Sequence, residues 1–149
     1  MVGIVHDLGV GISTFTNDDG DEVEVPLDAF LVSAFWSHSA AGLDSDEYLW
    51  AWEAVHRATT EQVDGVVSLL VAIADAAAGR LEDLAYLGAS AFEDLLRYGR
   101  RPASAGILDE LDEAARSNEN VRLAVRAMWW GDDDDPQTVA RFSRFGPTY

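Results

Sequence analysis

Between Val63 and Ala77 the chain places apolar residues on nearly every side of a helix. Val63, Val66, Val67, Leu70, Val71, Ala74 and Ala77 form one stripe at helical spacing, and Leu69, Ile73 and Ala76 make much of the other side apolar too. Such a helix needs neighbours on several sides, which predicts a bundle or stack of helices built around it. Thr59 with Gln62 fits a capping box that opens it, and Gly79 ends it. The apolar run from Val66 to Ala78 is interrupted by Ser68 and Asp75 and falls short of the roughly 20 residues a membrane span requires. No basic segment followed by an apolar run opens the chain, so a cytoplasmic protein without a membrane partner is expected.

The next stretch, Arg80 to Gly99, is internally doubled. Leu81, Glu82, Asp83, Leu84 and Gly88 recur as Phe92, Glu93, Asp94, Leu95 and Gly99. Each copy sets a carboxylate pair in the first turn of a short helix, where unpaired N–H groups favour negative charge, and each closes on a glycine suited to a left-handed cap. Ser90 and Glu93 have the spacing of a capping box for the second copy. Two abutting short helices are predicted, with Glu82, Asp83, Gly88, Ser90, Glu93, Asp94 and Gly99 as their structural residues.

The run Gly88-Ala89-Ser90-Ala91-Phe92-Glu93-Asp94-Leu95-Leu96, followed by Tyr98-Gly99, resembles the hallmark of an uncharacterised bacterial all-helical domain family, Gly-Ala-Gly-Pro-Leu-Glu-Asp-Leu-Leu and then His-Gly. The likeness extends upstream to Trp50 and Trp52 and downstream to Met128-Trp129, covering the middle and C-terminal parts of the chain. Ser90 and Ala91 stand where the family has Gly-Pro, and Tyr98 where it commonly has His. The resemblance implies a helical fold and carries no activity, and the missing His removes the one titratable group a catalytic reading would borrow.

Elsewhere the pattern is read segment by segment. Ile12 to Thr16 and Asp21 to Val25 alternate about Asn17-Asp18-Asp19-Gly20, as in a hairpin. Pro26 suits the first turn of a helix that buries Phe30, Leu31, Ala34 and Phe35 and runs to about Ser39. Asp44 with Glu47 caps a helix facing inward through Tyr48, Trp52 and Val55. After the basic turn Arg100-Arg101-Pro102, a helix from Ser104 to Ser117 turns Leu111, Ala114 and Ala115 inward and Asp109, Glu110, Asp112 and Glu113 outward. Asn118 or Asn120 restarts the chain into a helix through Leu123, Ala127 and Trp130, and Asp135-Pro136 opens a last short amphipathic helix with Val139, Phe142 and Phe145. The expected fold is all-α, a compact bundle or α-solenoid-like stack of about six to eight short helices with a small N-terminal β-hairpin. Residues 1–25 form the hairpin segment and 26–149 one helical domain, with an acidic loop at 131–136.

The formal charge is −17, every one of the ten basic residues is arginine, and there is no cysteine. Disulfides and thiolate metal sites are therefore excluded. A chain this acidic repels nucleic acid and anionic membranes and is drawn to basic surfaces; acidity as salt adaptation is the alternative. His6, His38 and His56 are scattered, with His56 spaced to pair with Glu53 on one helix face, and no His-Glu-x-x-His, Gly-x-Ser-x-Gly or Gly-rich phosphate loop occurs. Glu82, Asp83, Glu93 and Asp94 have the chemistry for a hard cation, yet neighbours on a helix point about 100° apart and capping accounts for them. The Asp132 to Asp135 run lacks the spacing of a calcium loop and reads as solvated. In Trp50/Trp52 and in Trp129/Trp130 both rings cannot share one helix face, so at least one of each pair is expected at the surface or an interdomain seam; Trp36 and Trp52 read as core, and Trp50 and Trp129 are the candidates for exposure, with core filling as their alternative.

These features favour a non-catalytic protein without cofactor or metal that binds a basic protein, as an immunity, antitoxin or inhibitor protein does. The predicted contact residues are Trp50, Trp129, Asp109, Glu110, Asp112, Glu113, Asp132, Asp133, Asp134 and Asp135. Nucleic-acid mimicry, a carboxylate-held metal enzyme and a dimerising helper domain are the competing readings.

Overall fold

Strands β1 (Ile12–Thr16) and β2 (Glu22–Pro26) pair antiparallel, with Ile12 opposite Pro26 and Thr16 opposite Glu22. They belong to a computed structural model that describes residues 12–16, 22–26, 29–41, 47–98 and 103–146. Among the described residues the elements after the hairpin are helices: α1 (Ala29–Ala41), α2 (Leu49–Thr60), α3 (Val66–Ala76), α4 (Leu81–Leu87), α5 (Ala105–Ser117), α6 (Glu119–Arg126) and α7 (Pro136–Ser143). The expected all-α architecture with an N-terminal hairpin is the one observed. Pro26, however, ends β2 and does not open α1; a strand terminus tolerates its missing N–H. The hairpin turn, Asp44, Gly99 and Arg100-Arg101-Pro102 lie outside the described residues.

Helix α3 is buried through Val66, Val67, Leu69, Leu70, Ile73 and Ala74, as its all-round hydrophobicity requires. It shares the centre with α6, whose Val121, Ala124 and Val125 are buried and which touches α3, α4, α5 and α7. The inward face of α6 is therefore rotated from the predicted Leu123, Ala127 and Trp130, which are only partly buried. Helix α1 lies on α2 and α3, where Trp36 donates its indole N–H to the Ile73 carbonyl at 2.9 Å. On α2 the buried stripe is Ala51, Ala54, Val55, Ala58 and Thr59, small residues that admit close neighbours, while Trp52 is half-buried.

Thr59 and Gln62 do not open α3. Thr59 sits in the last turn of α2 and donates its hydroxyl to the His56 carbonyl at 2.8 Å, and Gln62 turns the chain with φ 52°. Gly65, at φ 82°, precedes α3 instead. Other ends behave as predicted: Ser104, Asn118 and Asp135 cap α5, α6 and α7 through Ile107, Val121 and Thr138 N–H.

The doubled segment departs most from expectation. Gly88 has φ −62° and ψ −45°, so it caps nothing, and α4 runs on through π-helical turns at Gly88–Phe92 and Asp94–Tyr98. Ser90 is inside that helix, its hydroxyl bonded to the Tyr86 carbonyl at 2.6 Å. Glu82 and Asp83 do occupy a first turn, but Glu93 and Asp94 lie mid-helix, away from the positive end of its dipole. The glycine is required by packing: a Cβ on Gly88 would collide with the carbonyl oxygen of Ala124 on α6. Replacing Gly88 with Ala is expected to cost roughly 3 kcal/mol in urea unfolding, the upper range for overpacking. Gly79→Ala, at φ 78° with nothing near its Cβ, is expected to lose about 1 kcal/mol from backbone strain alone. Equal losses at the two sites would contradict the packing assignment.

Candidate functional site

At the C-terminal end of α6 the chain leaves the helix and passes through Met128, Trp129 and Trp130 without regular secondary structure. Met128 is buried in the core, Trp129 is 61% exposed, and Trp130 packs partly against the core. What holds this segment is Glu93. Its side chain is only 6% exposed, and its Oε2 accepts the Trp129 backbone N–H at 3.0 Å. The π-helical extension of α4, brought against α6 by Gly88, places that carboxylate there. A buried carboxylate thus holds the backbone of an exposed tryptophan.

Asp132 and Asp133 follow, both exposed. The rest of the acidic run is structural: Asp134 Oδ2 accepts Gly131 N–H at 2.5 Å, and Asp135 caps α7 by accepting the Thr138 N–H and hydroxyl at 2.9 and 3.0 Å. Of the two tryptophans expected to face outward, Trp129 does so, whereas Trp50 is half-buried against the core.

The acidic face of α5 is largely answered from within. Asp112, predicted to point outward, is 4% exposed. It accepts Arg141 at 2.5 Å, Arg144 by a short bond and Arg116 at 3.1 Å. Arg141 also holds Asp109 at 2.6 Å, and Arg116 holds Glu113 at 3.0 Å. The reason is α7, whose arginines at 141 and 144 fall three apart on one side and need an acidic counterpart on α5. Burial pushes the Asp112 carboxyl up, but the bond from Arg141 and the charges of Arg144, Arg141 and Arg116 outweigh it, so it lies below its ordinary value. Bonds to Asp109 and Asp112 raise the Arg141 guanidinium further. Glu110 stays exposed on the wall of a cleft of about 360 Å³ where the first turns of α3 and α5 meet.

Glu82, Asp83, Glu93 and Asp94 do not converge. Glu82 is exposed, Asp83 pairs with Arg80 at 2.5 Å, Glu93 serves Trp129, and Asp94 accepts from His56 at 3.0 Å. Among the described residues no three His, Asp or Glu side chains are grouped so as to hold a metal ion. His56 does not pair with Glu53 as its spacing predicts; it joins α2 to the extension of α4 and stacks flat on Trp52 at 5.1 Å. The Asp94 hydrogen bond raises its pKa, burial and Arg57 oppose, and the Asp94 charge assists. His38 is buried in the core, and His6 lies outside the described residues. Neither long-range link, His56 to Asp94 or Asp112 to Arg141, had a sequence signal beyond the arginine spacing on α7.

Comparison with family models, with curated proteins and with solved structures finds no match for this chain. The geometry alone therefore carries the functional reading.

Two outcomes test the charge links. Asp112→Asn is expected to lose roughly 2 kcal/mol, less than the roughly 3–5 of a fully buried pair because its arginines are partly exposed. Since the Asp112 pKa is depressed on folding, its contribution is present above the ordinary 3.8 and disappears as pH falls through the lower folded value; the Asn variant should show a flatter acid limb in thermal melts. For His56 the sign reverses: the ring should titrate above 6.5 by NMR, and Asp94→Asn should lower that midpoint. Stability contributed by the pair is full below 6.5 and fades as pH rises through the folded value.

Proposed function

We propose that this is a non-catalytic, acidic helical binding protein whose partner is a basic protein, in an immunity-, antitoxin- or inhibitor-like role. The observation that carries the proposal is Trp129, 61% exposed while its backbone N–H is held by the buried Glu93. Exposing an indole costs solubility, and spending a buried carboxylate to fix its position makes sense when the ring is an interface anchor, for which tryptophan is favoured.

Electrostatics supply the class of partner. The chain carries a formal charge of −17, and Arg80, Arg116, Arg141 and Arg144 are each paired with carboxylates of the same chain. Exposed Asp132 and Asp133 come soon after the tryptophan in the chain and add to this negative charge. Such a field steers a basic surface toward the site and discourages nucleic acid or an anionic membrane. Among the described residues, no helix is long and apolar enough to cross a membrane.

Nucleic-acid mimicry fits less well, because Asp109, Asp112 and Glu113 are engaged by arginines of the same chain and do not form an open row of phosphate-like charges.

The test is affinity capture of a basic protein from the native host, followed by calorimetry with the purified partner. Trp129→Ala is expected to weaken binding about 30-fold, a loss of about 2 kcal/mol, while leaving folding stability within about 0.5 kcal/mol. Affinity should fall with added salt. A partner indifferent both to the Trp129 substitution and to ionic strength would overturn the proposal.

A further inference from the structure

Arginine and phenylalanine alternate at the end of α7 as Arg141-Phe142-Ser143-Arg144-Phe145. Each guanidinium lies over the ring of the phenylalanine after it, 6.0 Å from the Phe142 centroid and 4.8 Å from that of Phe145. Phe142 is the one buried side chain of α7. Ion pairs join the helix to α5: Arg141 to Asp112 and Asp109 at 2.5 and 2.6 Å, and Arg144 to Asp112. A basic helix with aromatic side chains is thus already seated on the acidic face of α5.

Several features make α7 a separable unit. Its start is satisfied from within, by Asp135 accepting from Thr138 and by Pro136 in the first turn, so the cap travels with the helix. The connection before it, residues 127–135, contains neither helix nor strand. Eight residues are too few for a stable helix alone in water, so α7 is helical because it is docked. With one buried side chain and both arginines partly exposed, it belongs to the class of elements that open locally before the core does. Its departure takes Arg141 and Arg144 from Asp109 and Asp112 and leaves only Arg116 beside Asp112 and Glu113.

We infer that α7 is an internal occupant of a binding face on α5, and that a basic helical segment of the protein partner takes its place. The inference rests on the binding role proposed above and names what the partner presents: two arginines three residues apart on a helix, each beside an aromatic ring. Until that segment arrives, α7 holds the face closed as an autoinhibitory contact. The connection from α6 to α7 carries Trp129, so partner contact at the indole and release of α7 act on one continuous stretch of chain.

Hydrogen exchange on the intact protein, followed by NMR at low urea, tests release without any substitution. The α7 amides are expected to exchange about 100-fold faster than those of α3, through an opening that urea affects weakly. Exchange of α7 only together with α3 overturns the inference. Occupancy is tested with an acetylated and amidated peptide of residues 135–146. It should bind the Arg141→Gln/Arg144→Gln variant saturably, with shifts at the Asp109, Asp112 and Glu113 amides. Binding to the unaltered protein should be about tenfold weaker or less, because the tethered α7 competes at high effective concentration. The same peptide with norleucine in place of both arginines should bind the variant about tenfold more weakly. No saturable binding, equal binding to the unaltered protein, or indifference to the arginines overturns the inference. So does a partner that requires Trp129 yet does not compete with the peptide. Failure of the binding role itself reads differently: the peptide still seats on the variant, while the captured basic protein is indifferent both to the peptide and to Trp129→Ala.

Discussion

The backbone of α4 lies against that of α6 at Gly88, closer than any side chain permits, and much of the molecule depends on that approach. Because the two helices touch there, α4 does not stop where its sequence invites it to stop. It continues through wider π-helical turns, the first, Gly88–Phe92, against α6 and the second, Asp94–Tyr98, against α2. Phe92 and Leu95 are thereby buried, Glu93 reaches the Trp129 backbone, and Asp94 meets His56 on α2. Wide turns of this type commonly mark functional positions, since they re-aim side chains that a regular helix would point elsewhere. Here the side chain concerned is the carboxylate that accepts the Trp129 backbone N–H.

A second constraint governs charge. With 27 acidic residues against ten basic ones, the chain cannot neutralise its surface, and it concentrates several arginines where they stabilise the fold. Arg116, Arg141 and Arg144 gather on the single buried Asp112, fastening α7 to α5. Arg122 reaches back to the Ala115 and Arg116 carbonyls at the end of α5. Arginine suits these tasks because its planar fork serves several acceptors at once, which a lysine ammonium does less well. The electrostatic consequence is that several positive charges are spent inside the acidic framework, while Asp132 and Asp133 remain exposed.

What the sequence disclosed, and what it withheld, divides by the range of the interaction. The apolar spine of α3 and the caps at Ser104, Asn118 and Asp135 were legible because each rests on neighbours within one or two turns. Thr59 and Gln62 misled because a threonine hydroxyl serves equally at a helix start, accepting an N–H, and at a helix end, donating to a carbonyl; local spacing does not separate the two. Ser90 misled for the same reason. Gly88 was read as a helix end from its local doubling, whereas its role is set by Ala124, far along the chain. Asp112 read as solvent-facing on an amphipathic helix, and only the arrival of α7 shows that the acidic face of α5 is partly an interior. The Glu93 to Trp129 contact is equally remote, so the feature on which the proposed binding role rests has no local pattern.

These remote contacts explain how one acidic motif came to play two parts. In the first copy, Glu82 and Asp83 face the start of a helix, where a carboxylate complements the dipole and pairs with Arg80. In the second, the same residue types fall mid-helix and gain nothing from a dipole, so their retention as charges must come from partners on other elements: a backbone N–H for Glu93 and an imidazole for Asp94. A buried carboxylate costs desolvation that an apolar residue of similar size avoids, so its presence at position 93 goes with the hydrogen bonding it provides, that to the Trp129 backbone N–H included. In the binding role proposed above, that bond keeps the Trp129 backbone at a fixed place on the surface. In the proposed binding role the rigid indole contributes contact area at little conformational cost and the acidic residues contribute encounter rate, so specificity and speed are drawn from separate parts of the same surface.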